Sequence, residues 1–301
     1  MKETTLKKLA RPMLILAPVI WGSAFVVMKN SVDSVPVFYL LAFRFAVAAV
    51  LLALIFHRKM KLIDRAYLKS GVILGTYEFL AYAVQTFGLE DTTPGKNAFL
   101  TAIYCVIVPF LYWAVAHRKP DRYNILSALL CIAGIGMVSL QGSLHIGLGD
   151  LLTLISGFFF ACQMVAVARL SQGRDVFLLT TLQFAASAVQ SLVCGLLFSQ
   201  PPHALGSGVW ASLLYLAVFS TAGALLFQNL GQKYTPPATA AVLLSLEAPL
   251  GVLFSIIFYH ERPTPVMLAG FALIFVAILC SETKFEFLRK KVSSGSAEKI
   301  G

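Results

Sequence analysis

The sequence predicts an all-α polytopic membrane protein with ten transmembrane helices, arranged as two inverted five-helix repeats around a central cavity. Three observations lead to this prediction: the apolar composition, the sorting of basic residues and an internal repeat. Of the 301 residues, 58% are hydrophobic and 13% are charged, whereas soluble domains have about 45–50% apolar and about 25% charged residues. The mean hydropathy of +0.80 indicates that the apolar excess runs along the whole chain.

Ten apolar runs are long enough to be membrane-spanning helices, since a helix needs about 20 residues to cross the hydrocarbon core. The runs are 13–28, 36–56, 68–88, 97–115, 124–140, 150–168, 176–198, 209–230, 236–258 and 265–281. The first run follows a short basic segment that resembles the start of a signal peptide. Because nine further runs follow, we expect a retained first helix rather than a cleaved leader.

The basic residues sort by side of the membrane. Of the 24 Lys and Arg residues, 20 lie in the two tails and the even-numbered connections. The odd-numbered connections hold Lys29, Lys96 and Arg262, and Arg44 alone lies within a run. Because cytoplasmic segments carry an excess of Lys and Arg, we expect an integral multi-pass protein of the plasma (inner) membrane with both termini cytoplasmic. The net charge of +10 then serves orientation and attraction to anionic lipid, and we expect no nucleic-acid partner.

The chain repeats itself at two nearly constant spacings. At 139 residues, Trp21–Phe25 corresponds to Phe160–Met164 and Arg44–Ala46 to Gln183–Ala185. At 143 residues the correspondences are Gln85 with Gln228, Gly88 with Gly231, Thr92 with Thr235, Pro94 with Pro237, His117 with His260 and Pro120 with Pro263. Five helices per repeat is an odd number, so the second repeat enters the membrane from the opposite side. Inverted repeats are typical of transporters that bind substrate near the midplane, between the two halves.

The predicted organisation has four parts. Residues 1–12 form a cytoplasmic tail, 13–142 the first five-helix repeat, 147–282 the second, inverted repeat, and 283–301 a basic cytoplasmic tail. The five cysteines lie within apolar runs without paired spacing, and the five histidines lie at run ends or in connections without metal-ligand spacing. We therefore expect neither a disulfide framework nor a metal site, and no cofactor.

Several short motifs resemble the EamA type of the drug/metabolite transporter (DMT) superfamily. They are Trp21–Phe25, Arg44-Phe45, Val108-Pro109 followed by Arg118–Pro120, Gly147–Asp150, and Ser245–Pro249 running on to His260–Pro263. Each motif is weak alone, but their order along ten runs is specific. The resemblance implies two EamA-like repeats, a cavity formed mainly by spans one to four and six to nine, and spans five and ten at the periphery. It implies no particular substrate.

Three ionisable residues lie near the middle of apolar runs: Arg44, Glu78 and Glu247. A charge at the centre of a membrane helix is unfavourable by about 2.5–3.5 kcal/mol, so each should face the protein interior. Two interpretations stay open. Arg44 forms a buried ion pair with Glu78 or Glu247 that fixes helix packing, or the charges line a cavity and contact substrate or carry a proton.

Polar and aromatic residues accompany these charges at helical spacing. Gly75, Glu78, Tyr82 and Gln85 share one face of the third run. We predict a substrate-binding set that comprises Trp21, Arg44, Glu78, Tyr82, Gln85, Asn97, Thr101, Tyr104, Gln163, Gln183, Gln228 and Glu247. For each amide the alternative is a hydrogen bond between helices.

The expected function is secondary transport, most plausibly export, of small organic metabolites such as amino acids, coupled to protons or to no ion. Pro94–Asn97 departs from a phosphate-binding loop because Glu90 stands where that loop needs glycine. We therefore expect no ATPase, and no enzyme. The alternatives are a passive facilitator or channel and, third, a membrane-embedded lipid enzyme. The expected partners are the small-molecule substrate and the lipid bilayer, and a homodimer through the peripheral helices stays open.

Overall fold

The fold is helical in a computed structural model that describes residues 3–116, 119, 122–139, 146–203, 205–235 and 237–283. Over these ranges no β-strand occurs. The helices are α1 (Glu3–Val32), α2 (Val37–Ile55), α3 (Arg65–Glu90), α4 (Pro94–Thr101), α5 (Tyr104–Ala116), α6 (Arg122–Ser139), α7 (Leu148–Leu170), α8 (Val176–Phe198), α9 (Ser207–Tyr215), α10 (Ala224–Tyr234), α11 (Pro237–Leu244), α12 (Glu247–Phe258) and α13 (Pro265–Thr283). A 3₁₀ turn (His57–Leu62) follows α2, and a π-helical segment (Leu216–Gly223) joins α9 to α10.

Seven helical segments are long and apolar enough to cross a membrane. They are Thr4–Val32, Val37–Ile55, Arg65–Glu90, Pro94–Val115, Leu148–Leu170, Val176–Phe198 and Ser207–Tyr234. Shorter apolar helices occupy Ile125–Val138, Glu247–Phe258 and Pro265–Cys280. The chain is therefore an all-helical, multi-pass membrane protein.

Helix boundaries differ from the apolar runs in two ways. The first predicted run began at residue 13, whereas α1 begins at Glu3, because hydropathy detects only the apolar part of a helix that continues past it. The runs 97–115 and 236–258 are each interrupted, at Ala102-Ile103 and at Ser245-Leu246. Hydropathy cannot detect these interruptions, since the residues on both sides are apolar.

Local sequence explains where several helices begin. The Asp64 side chain accepts a hydrogen bond from the Tyr67 N–H at the start of α3, and Asp175 accepts one from the Leu178 N–H at the start of α8. Thr93 caps α4, with Pro94 in the first turn, where no intrahelical N–H bond is lost. Side-chain acceptors of this kind satisfy the free N–H groups of a first turn.

Glycines set two close helix crossings. A Cβ atom on Gly88 of α3 would lie 2.8 Å from the backbone oxygen of Gly149 on α7. A Cβ on Gly134 of α6 would lie 2.9 Å from the oxygen of Gly270 on α13. Small residues let membrane helices pack backbone to backbone. The α6–α13 pair consequently packs mainly against itself, beside the other helices.

Candidate functional site

A narrow cavity lies among helices from both halves of the chain, with a volume of about 50 Å³. Its lining comes from α1, α2, α3, α4, α5, α7, the π-helical segment, α10, α11 and α12. The predicted residues on its wall are Trp21, Arg44, Tyr82, Gln85, Thr101, Tyr104, Gln228 and Glu247. The volume holds only a few water molecules, so a solute needs helix or side-chain movement to enter.

Glu247 reaches the cavity from an interrupted helix. It is the first residue of α12, directly after the break at Ser245-Leu246, and it is 4% exposed. Tyr104, the first residue of α5, follows the break at Ala102-Ile103, and its hydroxyl lies near the Glu247 carboxyl group. Within the described part of the chain, Glu247 Oε1 has no hydrogen-bond partner. This end of the cavity therefore offers an acidic group with unused hydrogen-bonding capacity.

Arg44 reaches the cavity from α2 and is fully buried. Its Nε donates to Thr221 Oγ1 at 3.0 Å, and its Nη2 donates to Ser220 Oγ at 3.3 Å. Its guanidinium lies over the Tyr82 ring, 5.0 Å from the ring centroid. Its polar partners are thus neutral, and the positive charge remains uncompensated by them.

The ion pair considered from the sequence does not form in this structure. Among the described residues, Arg44 has no carboxylate oxygen within 4.0 Å, so it bonds neither Glu78 nor Glu247. Arg44 and Glu247 line one cavity as separate charged groups. The side-chain arrangement therefore leaves both groups free of each other.

An aromatic wall separates the two charged groups. Phe160 on α7 contacts Tyr82 edge to face, with ring centroids 5.2 Å apart, and contacts Tyr104 in the same way at 6.5 Å. Trp21 lines the cavity and donates from its indole N–H to the Ser220 carbonyl at 3.0 Å. Aromatic faces of this kind pack against apolar or aromatic parts of a ligand.

Four of the predicted residues lie behind the wall rather than on it: Glu78, Asn97, Gln163 and Gln183. Asn97 donates to Thr153 Oγ1 at 2.8 Å, and Gln163 accepts from Gln228 Nε2 at 3.1 Å. Gln183 Nε2 donates to Glu78 Oε2 at 2.8 Å. These side chains join helices, which was the alternative interpretation for the amides, and their contact with substrate stays a prediction.

Sequence reasoning missed several lining residues, including Met28, Phe160, Met164 and Ser220. Phe160 corresponds to Trp21 at the 139-residue spacing and could have been found by carrying that correspondence over. Ser220 lies in the π-helical segment, a conformation often found at functional sites. The change of spacing from 139 to 143 places extra residues in this part of the second repeat without locating the π-helical turn.

One face of the molecule carries a wide vestibule, which we call the basic face. It is lined by Lys7, Lys59 and Lys233 among other residues and has a volume of about 940 Å³. Lys59 Nζ lies 2.5 Å from Asp175 Oδ2, and Lys233 Nζ donates to the Arg174 carbonyl at 2.7 Å. The α1 start, the turn after α2, the turn before α8 and the α10 end therefore meet on this face.

The vestibule and the cavity are one helical turn apart. Gln228 lines the cavity and Gln232 lines the vestibule, both on α10. Met164 and Ala168 have the same relation on α7. Four residues of helix span about 6 Å, so only a thin layer of side chains separates the two spaces.

The opposite face is closed by polar contacts between helix ends. Glu261 accepts from Thr93 Oγ1 at 2.5 Å and from the Gly95 N–H at 3.0 Å, which ties the segment after α12 to the start of α4. Asp150 Oδ2 lies 2.7 Å from Lys96 Nζ, which ties α7 to α4. Lys29 Nζ donates to the Leu89 carbonyl at 2.6 Å. We call the Glu261 contacts the α12–α4 latch.

Comparison with known proteins identifies relatives along nearly the whole chain. The EamA-like transporter family matches residues 9–140 and again 147–283. A protein of Archaeoglobus fulgidus, described as an uncharacterized transporter, is 33% identical over 266 residues, which cover 88% of this chain and 83% of that protein. The uncharacterized transporter YoaV of Bacillus subtilis is 24% identical over 288 residues, 93% of this chain and 98% of YoaV.

One solved structure shares the fold. Its TM-score with this chain is 0.68 at 16% sequence identity, and the match covers 93% of this chain and 98% of that one. At this identity the similarity extends to the fold alone. The resemblance inferred from short motifs is confirmed by the two matched repeats, and the relatives' descriptions indicate transport rather than catalysis.

Proposed function

The chain belongs to the EamA-like transporter family, and on that premise we propose that it carries small solutes with both a carboxylate and an amino group. Amino acids and related compounds are the substrate class. The observation that carries this proposal is that Arg44 and Glu247 line one cavity without bonding each other. One binds a carboxylate and the other binds an ammonium group.

The chemistry of the two charged groups suits this class of solute. A guanidinium presents paired N–H donors that match a carboxylate, and charge-assisted bonds of this kind are stronger than neutral ones. The Glu247 carboxyl group, with one oxygen unpartnered among the described residues, suits an ammonium group. The wall of Phe160, Tyr82 and Trp21 favours solutes with an apolar or aromatic part.

We propose further that the chain crosses the membrane ten times as two inverted repeats. This count joins α4 to α5, α9 to α10 and α11 to α12, and adds the shorter helices α6 and α13. Helix contacts support it, because they occur in pairs that the repeat correspondence exchanges. The contact of α3 with α7 has its counterpart in α10 with α1, α5 with α7 in α12 with α1, and α4 with α12 in α11 with α5.

Transport then proceeds by alternating access with export as its direction. The latch closes one face, whereas the vestibule reaches within one turn of the cavity from the basic face. If the basic face is cytoplasmic, as its lysines favour, solute enters the cavity from the cytoplasm. Release on the other side requires the latch to open.

A counterflow experiment tests the substrate class. Purified protein in liposomes preloaded with an unlabelled amino acid is mixed with trace radiolabelled amino acid outside, and a set of aromatic, aliphatic, acidic and basic amino acids is screened. We expect transient accumulation that saturates with concentration, most strongly for neutral amino acids with large side chains. Flux that neither saturates nor shows counterflow identifies a channel instead, and no amino-acid flux at all refutes the substrate class.

A labelling experiment tests the orientation. Single cysteines replace Lys59 and Lys119 in a chain whose five native cysteines are changed to serine or alanine. We expect a membrane-impermeant maleimide to reach both positions only after the cells are opened. Labelling of either position in intact cells would reverse the proposed topology.

A further inference from the structure

Glu78 is a buried carboxyl group that does not line the central cavity. It lies on α3 with 0% exposure, and its Oε2 accepts from Gln183 Nε2 at 2.8 Å. Its Oε1 has no hydrogen-bond partner among the residues described. A buried carboxylate without a bonded cation is strongly unfavourable. The surroundings of Glu78 in this structure therefore suit a neutral, protonated carboxyl group.

The partners of Glu78 form a chain of neutral amides. Gln183 Oε1 accepts from Asn229 Nδ2 at 3.0 Å, and Asn229 Nδ2 also donates to Thr180 Oγ1 at 2.9 Å. All three partner side chains are buried. They fix the Gln183 amide so that its N–H points to Glu78, which specifies a bond to either form of the carboxyl group.

Arg44 and Glu78 occupy corresponding hydrogen bonds of the two repeats. Gln183 corresponds to Arg44 at the 139-residue spacing, and Thr221 corresponds to Glu78 at the 143-residue spacing. The bond from Gln183 to Glu78 is thus the counterpart of the bond from Arg44 to Thr221. In each bond one partner is ionisable and the other is neutral. The opposite charges are held apart by a pairing that the repeat architecture dictates.

The two ionisable groups are nevertheless close enough to interact. Tyr82 lies one helical turn after Glu78 on α3, and the Arg44 guanidinium lies 5.0 Å from its ring centroid. The charge on Arg44 acts on Glu78 through this gap. A second arrangement, with Arg44 bonded to a charged Glu78, therefore requires side-chain movement across the width of one ring.

We propose that Glu78 is a proton-binding site, separate from the solute cavity, whose proton determines whether Arg44 is available to the solute carboxylate. With the proton bound, Glu78 stays with Gln183 and Arg44 offers its charge to the cavity. When the proton leaves to water, the carboxylate attracts Arg44 and withdraws it from the solute. The coupling rests on the proposed function, whereas the proton site itself does not.

Few ionisable groups face Glu78 from the helices packed against α3, which are α1, α2, α4, α7 and α8. From α2 the group is Arg44, and from α3 itself it is Tyr82. The charged residues that the described parts of the other helices contribute lie toward the helix ends, as Lys29, Lys96, Asp150 and Arg169 do, and the thiols are Cys162 and Cys194. Titration of Glu78 is therefore governed by Arg44.

Infrared spectroscopy on the purified full chain tests the proton site without any substrate. We expect a carbonyl band of a protonated carboxyl group at neutral pH that shifts in D₂O and is lost in E78Q. The matched control, E90Q, changes an exposed glutamate on the same helix and should keep the band, as should E247Q. A band that survives E78Q at every pH overturns the site.

Two further measurements protect this test against misfolding and a wrong ligand. On the unmutated protein, dicyclohexylcarbodiimide should modify Glu78, as mapped by peptide mass spectrometry, because this reagent attacks protonated carboxyl groups in apolar surroundings. No modification at a pH where the band is present overturns the assignment. The titration is repeated in sodium chloride and in choline chloride, and a midpoint that moves with sodium identifies a metal-cation site and refutes the proton site.

The role of Arg44 has its own readout. In R44Q the band should persist to higher pH than in the unmutated protein, because the charged form of Glu78 loses the cation that faces it. An unchanged midpoint overturns the exchange between Arg44 and Glu78.

Coupling is tested in liposomes with L-leucine and L-phenylalanine as probes. E78Q should retain counterflow but lose acceleration by an imposed pH gradient, whereas E90Q should retain both. Acceleration of E78Q equal to that of the unmutated protein overturns the coupling. If the unmutated protein moves neither probe, the proposed function fails in its substrate class, and the infrared titration still decides the proton site.

Discussion

The two interrupted helices have the same backbone and different chemistry. In the first repeat α4 ends at Thr101 and α5 begins at Tyr104; in the second, α11 ends at Leu244 and α12 begins at Glu247. Each boundary of the second break lies 143 residues after its counterpart. The repeat therefore conserves the shape of the break, while one break presents a phenol to the cavity and the other a carboxyl group.

This difference teaches that the shape and the charge of the cavity have separate origins. Broken helices bring residues at their inner ends to the middle of a membrane protein, where transporters bind their substrates. Equivalent breaks in two halves place Tyr104 and Glu247 next to each other. Only the residue type at these two positions makes the cavity asymmetric, so exchanging residue types should move the charge without moving the backbone.

Removing either charge should have the largest effect. We expect Glu247→Gln and Arg44→Ala to abolish detectable counterflow while the protein stays in the membrane. A lost charge-assisted bond weakens binding by about 1.5–3 kcal/mol, a factor of about ten to a hundred, and both charges contact the solute in the proposed pose. Membrane content by immunoblot and helix content by circular dichroism are the controls, with E90Q as the matched acid. Normal transport by both variants would refute the cavity assignment.

Exchanging the two break residues should restore part of what the single change removes. The double variant Tyr104→Glu with Glu247→Tyr keeps one phenol and one carboxyl group at neighbouring positions. We expect its counterflow to exceed that of Glu247→Gln and to stay below that of the unmutated protein, because the carboxyl group then approaches from the other half. Activity equal to that of Glu247→Gln would mean that the breaks are not interchangeable.

Tyr104→Phe should have a moderate effect. The ring still packs against Phe160, but the hydroxyl near Glu247 is lost. A neutral hydrogen bond contributes about 0.5–1.5 kcal/mol, so we expect a two- to tenfold rise, about what this energy corresponds to, in the solute concentration for half-maximal counterflow. An effect as large as that of Glu247→Gln would indicate that Tyr104 itself holds the solute.

The smallest effect on binding should come from the α12–α4 latch. Glu261 accepts from Thr93 Oγ1 and the Gly95 N–H and also from the Ser255 hydroxyl, so it joins the two interrupted helices at their outer ends. We expect Glu261→Gln to leave solute affinity within about twofold, since the lost bonds lie outside the cavity. A cysteine at Leu89, on the cavity wall, should react faster with an impermeant maleimide in this variant. Unchanged reactivity would exclude the latch as a barrier.

Much of the fold followed from simple patterns in the sequence. Hydropathy located the apolar segments because a membrane requires a continuous apolar surface and internally satisfied backbone. The two spacings of 139 and 143 residues anticipated the two matched EamA repeats. The candidate site was predicted less completely, since Glu78, Asn97, Gln163 and Gln183 are buried behind the cavity wall. A helical face in an all-buried environment does not reveal which of its neighbours is a cavity and which is another helix.

The sequence by itself determined that the chain is helical, apolar and duplicated, and that Arg44, Glu78 and Glu247 must be buried within it. These properties follow from composition and periodicity, which act locally along the chain. Only the tertiary structure decided that Arg44 bonds Thr221 and that Glu78 bonds Gln183, partners 177 and 105 residues apart. Hydrogen-bond choice among buried groups depends on atomic distances across helices, and those distances are set by how the two repeats pack together.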